Sequence, residues 1–354
     1  SSDGSKVAIG AAFNDDNGNL SGHVRVYNLV TFYNQWDGDQ GTNWDTANNW
    51  SFDTAPIRSD DIKIPTGLAN YPIISVDADK FVNSITVDNG GSLILSEDSS
   101  LSITDSFRNN GTVTLNSDSN QYSSMIVGGS SSGNIIYNRY VNKVDSGEWD
   151  LIGSPVGGLL ISDFVSTNSA VLATSGSTFA VGYNDNSNDS WNNYKTSTVG
   201  AAGNFVIGRG YQMATSTGAT MAFTGTITTT DQTQTIINNT DNGNGGSRWN
   251  LIANPFTSYL AGNQNADTSN NFLTVNRGAI DQDFGAIYGW KADGTGYSTY
   301  NHTSTAIYIA PGQGFFVAAA GTGVNKTITF TKAMQTKTGA DDFVANRPVN
   351  SSYE

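Results

Sequence analysis

Two histidines, three glutamates and no cysteine leave this 354-residue chain few groups for covalent or metal-assisted catalysis. His23 lies in the alternating run GHVRVY and His302 in the polar stretch NHTST. A Ser-His-Asp relay needs a histidine held against its nucleophile, and a histidine zinc site needs several imidazoles. Both histidines are therefore read as structural. The absence of cysteine also removes thiolate ligands, thiol nucleophiles and disulfides.

Glycoside hydrolysis asks only for two carboxylates about 5 to 10 Å apart across an open cleft. Of the 31 acidic residues only Glu97, Glu148 and Glu354 are glutamates, and the aspartates are interleaved with Asn, Gly and Ser, where Asx-turns account for them. No pair stands out, so the chain is expected not to be an enzyme. Calcium is the more credible chemistry, because hard cations take clustered loop oxygens around a turn-forming glycine. Three loops offer them: NDDNGN from Asn14 (Asp15, Asp16, Asn17, Asn19), DGDQGTNWD (Asp37, Asp39, Asp45) and NDNSND from Asn184 (Asp185, Asp189). None has EF-hand spacing, and each also reads as a plain turn. For sugar rings, which stack on Trp and Tyr faces, the candidates are Trp191, Tyr194, Trp290, Tyr297 and Tyr300.

The elements that must position these groups are strands. Apolar residues nowhere recur at helical spacing over three turns. Period-two runs bounded by Gly, Asn and Asp recur throughout, as at Lys6–Gly10, His23–Tyr27, Ser84–Val87, Ser92–Leu95, Thr112–Leu115, Ile135–Tyr140 and Thr327–Phe330. The expected class is all-β. Charged residues make up only 14%, with a net charge of −14 that repels phosphate backbones and anionic lipid, so nucleic acid is not an expected partner. No apolar run approaches the roughly 20 residues of a membrane span, so direct membrane insertion is not expected either. Ser1 follows no basic and apolar leader, which reads as a mature chain or a fragment.

The second half carries a duplication. GEWDLIGSPV (147–156) is echoed by SRWNLIANPF (247–256), Ala180–Tyr183 by Ala286–Trp290, the pair Trp191 and Tyr194 by Tyr297 and Tyr300, GRGYQMA from Gly208 by GQGFFVA from Gly312, and Met221–Thr224 by Ile328–Thr331. Five matches in one order imply two similar β units. Within them, Trp149 and Trp249 are expected to be buried at equivalent places. The G-x-G pairs are expected to permit a bulge or a tight approach before an aromatic that caps the core. Between Asn43 and Val141, strands of six to eight residues with corners at Asn89-Gly90-Gly91 and Asn110-Gly111 suit a β-solenoid or a flat sandwich.

VAIGAAFNDDNGNLSGHVRVY (7–27) resembles one repeat of the FG-GAP-like β-propeller family, and as a single blade it implies missing neighbours. The W-x5-W spacing of Trp44 and Trp50 and the run DDIKIP resemble parallel β modules of large secreted proteins of Bacteroidota. The region Trp149–Phe330, with NLIANPF and APGQGFFVAAA, resembles a domain that often precedes a type 9 secretion sorting domain in such proteins. These resemblances imply export across the outer membrane to the cell surface or medium, and contact with the type 9 translocon or shuttle components through a missing C-terminal domain. They also make Thr46 and Thr54, in Asp-Thr-Ala tripeptides, similar to O-glycan acceptors of these bacteria.

The organisation expected is a propeller-blade remnant or hairpin at 1–30, a β-solenoid or sandwich module at 31–143, a duplicated β-sandwich-like domain at 144–336 with repeats near 147–231 and 247–334, and a linker at 337–354. The leading functional expectation is a non-enzymatic segment of a surface adhesin or gliding-associated protein that meets surface glycans or other cells. The alternative is a carbohydrate-binding ancillary region of a secreted polysaccharide-degrading enzyme. Exposure of the five candidate rings separates them.

Overall fold

The computed structural model describes the backbone of residues 6–11 and 23–28, and residues 32–144, 149–291, 296–337 and 339 in full. Lys6–Ala11 and His23–Asn28 pair as an antiparallel hairpin. After it the chain is β throughout, with two short α-helices, Ile161–Thr167 and Phe272–Val275, among the described residues. None of their helices is long and apolar enough to cross a membrane.

Residues 34–141 form a parallel β-solenoid of about four turns. One face stacks Asn34–Gln35, Asp61–Ile64, Ser84–Val87, Phe107–Asn109 and Ser131–Ser132. A second stacks Ile73–Ile74, Ser92–Leu95, Thr112–Leu115 and Asn134–Val141, and a third stacks Asp79–Val82, Ser100–Ile103 and Ser124–Val127. Ile62 lies opposite Ile85, and Ile85 opposite Phe107, so successive coils advance by 85 − 62 = 23 and 107 − 85 = 22 residues. Three sides and three corners in so short a coil leave room for strands of about four residues, shorter than the six to eight the sequence suggested. The corners fall where expected. Gly90 takes a positive φ of 86°, and any side chain on Gly111 would collide with the Gly91 carbonyl of the coil before it.

Inward positions alternate along each strand and fill the tube with Ile62, Ile64, Ile85, Val87, Leu93, Leu95, Leu101, Ile103, Val113 and Leu115, all buried. A solenoid end exposes its core unless it is capped. At the N-terminal end Trp50 stands edge-on to both Trp36 (ring centroids 5.0 Å apart) and Trp44 (4.9 Å). Their indole donors are partly employed, with Trp50 Nε1 donating to the Trp44 carbonyl at 2.7 Å and Trp36 Nε1 to the Asn70 carbonyl at 2.9 Å.

Along one corner Asp98 takes a left-handed backbone conformation, as does Asp77 a coil below. Burial, then a hydrogen bond and repulsion from Asp77 and repulsion from Asp118, push the Asp98 carboxyl above its ordinary value. A carboxyl whose pKa is raised by folding favours the native state below that raised value, and its ionisation disfavours it above. Asp98→Asn, which tolerates the same backbone, is therefore expected to raise the melting temperature at neutral pH. The gain should vanish as pH falls below the ordinary carboxyl range; pH-dependent thermal melts of the two proteins check it.

The last solenoid strand, Asn134–Val141, pairs antiparallel over its full length with Ala219–Thr226, and the solenoid and first unit share one apolar core. The two units then repeat one topology. In the first, strands lie in the order Asp150–Ile152, Tyr211–Met213, Thr178–Asp185, Ser190–Lys195. In the second the order is Trp249–Ala253, Gly314–Ala318, Ala286–Trp290, Tyr297–Asn301. Each sheet is backed by a two-stranded pair, 134–141 with 219–226 and Gln232–Ile237 with Asn325–Phe330.

Each unit therefore includes one strand more at its start than the sequence echo revealed. Details repeat too. Asn168 ends the first helix, donating to the Phe164 and Ala222 carbonyls and accepting from Ala222 N, while Asn276 ends the second and does the same with Phe272 and Thr329. Such bidentate amides satisfy backbone groups that burial would otherwise orphan.

The second unit also caps the solenoid. Thr257 exchanges two hydrogen bonds with Met125 (2.8 and 2.7 Å), closing the edge of the third face. Arg139 stacks on Tyr122, 4.0 Å from the ring centre, and donates to the Pro311 carbonyl at 3.1 Å.

Candidate functional site

The two G-x-G segments do more than precede a core aromatic: they join the units reciprocally. Gly210 N donates to the Leu251 carbonyl and Ala253 N to the Gly208 carbonyl, with Arg209 bridging Ile252. In mirrored fashion Gly153 N donates to the Gly312 carbonyl, with Gln313 bridging Ile152. Leu151 and Leu251, and Ile152 and Ile252, are the matched residues of the W-[DN]-L-I echo, so the same patch meets its copy about a pseudo-two-fold axis. Glycine is required by the approach. A Cβ on Gly314 would lie 2.7 Å from the Leu151 carbonyl carbon and 2.8 Å from its oxygen, and one on Gly210 2.6 Å from Leu251 Cγ. The aromatics that follow, Tyr211 and Phe315, are buried in their own cores as expected.

This junction leaves a cleft where the outer faces of the two sheets meet. The larger part, about 570 Å³, is lined by Asn184, Asp189 and Trp191 of the first unit and by Trp249, Tyr288, Tyr297, Thr299 and Phe316 of the second. An adjoining recess of about 190 Å³ is lined by Trp149, Leu151, Trp191 and Gln212 with Trp290, Tyr297 and Phe316. Register explains the arrangement: Asn184 opposes Trp191 in one hairpin, and Trp290 opposes Tyr297 at the equivalent place in the other. Trp249 walls one part and its copy Trp149 the other. The two recesses are thus pseudo-symmetric mates sharing Trp191, Tyr297 and Phe316.

The walls stand nearly at right angles. Trp191 and Tyr297 meet the Phe316 ring edge-on at 82° and 86°, Trp249 meets Tyr288 at 76°, and Trp290 meets Tyr297 at 69°. Trp191 is 42% exposed and Tyr297 46%. Burial, then the charge of Asp189, push the Tyr297 hydroxyl above its ordinary value, which keeps it a neutral donor. Among the described residues that line the two recesses, none is cationic.

The expectation that Trp149 and Trp249 are core residues is corrected: both are half-buried and face the cleft. Alternation does place Trp and Leu on one face, but each sheet is covered on both sides, by its own unit and by the other unit. The face that carries isoleucine, with Ile152 and Ile252 buried, is the one turned to the unit's own core. The intervening Asp150 and Asn250 accept hydrogen bonds from Asn142 N (2.7 Å) and Ile237 N (3.0 Å), tying each strand to the one before it.

Of the five stacking candidates, Trp191, Trp290 and Tyr297 come together in the cleft. Tyr194 and Tyr300 pack toward the cores of their own units, and burial raises the Tyr194 hydroxyl to about 12. The calcium candidates are dispersed, and among the described residues no three His, Asp or Glu side chains gather as a metal site. Asp15, Asp16, Asn17 and Asn19 lie outside the described residues. Asp45 pairs with Lys80. Asp185 accepts from the Ser187 hydroxyl and amide, which hold its carboxyl below the usual range, as an Asx-turn does. Burial, then Asp39 and Asp53, raise the Asp37 carboxyl. Thr54 is exposed, whereas Thr46 is half-buried at the start of a short 3₁₀ turn. His302 is half-buried, with burial and then Arg277 holding its pKa below the ordinary value.

The family described as Domain of unknown function (DUF8693) matches residues 35–353. The chain belongs to this family. The matched DUF8693 region takes in the solenoid and both cleft-forming units together. No curated protein and no solved structure matches the chain.

Proposed function

We propose that this DUF8693 chain is a non-catalytic binding segment of an exported surface protein, and that the cleft between its repeats holds a sugar chain. The observation that carries this reading is the pair Trp191 and Tyr297. They are matched residues of the duplication, each a little under half exposed, and brought together over Phe316 in a cleft of ligand size. Aromatic faces take the apolar faces of sugar rings, while Asn184, Thr299 and Gln212 supply neutral hydrogen-bonding groups for hydroxyls. Asp189 is the one carboxylate among the described lining residues, so the paired acids of a glycosidase are not supplied there. Export and surface location rest on the resemblances of the W-x5-W and DDIKIP region and of Trp149–Phe330 to parts of secreted proteins.

Isothermal titration with neutral oligosaccharides tests the reading. Trp191→Ala and Tyr297→Ala are each expected to weaken binding by about ten-fold or more, the scale of one lost aromatic stacking contact. Their melting temperatures should stay near that of the parent, since both rings are exposed. Unchanged affinity in both variants would remove the cleft as the binding site.

A further inference from the structure

Among the described residues that line the cleft the only charge is in the larger part, although both parts draw on matched residues of the two units. Asp189 sits in the turn joining Thr178–Asp185 to Ser190–Lys195, with a φ of 51° in the left-handed region that non-glycine residues occupy at a cost. Its carboxylate is exposed and lines the larger recess, and among the described residues it has no ion-pair partner. Around it stand the rings of Trp191, Trp249, Tyr288, Tyr297 and Phe316, whose π-faces attract cations. The smaller recess has no charged side chain among its described lining residues.

Resting on the sugar-binding reading, we propose that the larger recess is an amino-sugar subsite: it takes a ring bearing a protonated amine, which Asp189 pairs with and the surrounding aromatic faces shelter. The smaller recess takes a neutral neighbouring ring, so the smallest full ligand is a disaccharide unit. Three features act in one direction: a carboxylate with no ion-pair partner among the described residues, aromatic walls set at steep angles to one another, and no described cation to compete. They also disfavour uronic acids, which would meet Asp189 and the −14 charge of the chain.

The test compares a β-1,4-linked glucose hexamer with the corresponding glucosamine hexamer, which differ by hydroxyl against amine at each C2. Titrations use the full chain at low salt and about pH 5.5, where the sugar amine is protonated. The glucosamine oligomer is expected to bind about five-fold more tightly, the scale of an exposed ion pair with some cation–π support. Asp189→Asn keeps the left-handed turn, because asparagine tolerates that conformation, and should remove the preference, so that the two hexamers bind the variant with equal affinity. Raising the pH until the amine is neutral should remove the preference in the parent too.

Equal affinities for the two hexamers, or a preference that survives Asp189→Asn, would overturn the amino-sugar assignment and leave the sugar-binding reading standing. Failure of both hexamers to bind would also overturn it; the sugar reading would then rest on whether any other glycan binds in a Trp191-dependent way.

Discussion

Gly314→Ala is expected to destabilise the protein by about 3 kcal/mol, the upper end of the usual cost of overpacking. The new methyl would lie 2.7 Å from one backbone atom of Leu151 and 2.8 Å from another. Backbone cannot rotate away as a side chain can, so the strand Gly314–Ala318 must separate from Leu151 or distort. Separation loosens the bridge between Gln313 and Ile152 and the bond from Gly153 N to the Gly312 carbonyl. Gly210→Ala attacks the same junction from the other side, but its nearest neighbour is the flexible side chain of Leu251, so a smaller loss is expected. Because both changes loosen one interface, the double variant should lose less than the sum of the two. Denaturant unfolding checks all three. A Gly314→Ala protein as stable as the parent would mean that the units are not held as closely as described.

The second large effect belongs to the solenoid end. Trp50→Ala should cost about 3 to 5 kcal/mol, the usual penalty for truncating a fully buried tryptophan. Trp50 is buried, stands edge-on to both Trp36 and Trp44, and donates a hydrogen bond to the Trp44 carbonyl. Its loss would open a cavity at the first coil and unpack the two remaining rings together. Hydrogen exchange in Trp50→Ala should rise first in Asp61–Ile64 and Ile73–Ile74 and least in the second unit, which caps the opposite end. Exchange that rises evenly across the chain would argue against an end cap.

Much of this architecture is legible in the residues. Short alternating runs and Asn-Gly corners mark the solenoid, and the strands at Ser84–Val87, Ser92–Leu95 and Thr112–Leu115 fall where alternation places them. The echo of W-[DN]-L-I, G-x-G-aromatic and the paired hairpin aromatics marks the duplication, and register confirms that Trp191 answers Tyr297.

What the residues conceal is which face of a strand is covered by what. In GFFVA, Phe315 and Phe316 are adjacent aromatics on opposite faces, one entering the core and one flooring the cleft, and alternation alone cannot tell them apart. Size alone places Trp149 and Trp249 in the core, yet both line the cleft, because a sheet enclosed on both sides has two apolar faces. The extra strand of each unit was hidden for a related reason. Asn134–Val141 serves at once as the last solenoid strand and the first strand of the unit, so its sequence follows the solenoid pattern.

The central claim, that the cleft between the repeats binds sugar, is met most directly by a glycan array probed with the intact chain and with a Trp191→Ala, Tyr297→Ala double variant of matched stability. The expected result is retention of a set of neutral or amino-bearing oligosaccharides by the parent and loss of that whole set by the variant. No retained glycan, or a variant that keeps the parent's pattern, would contradict it.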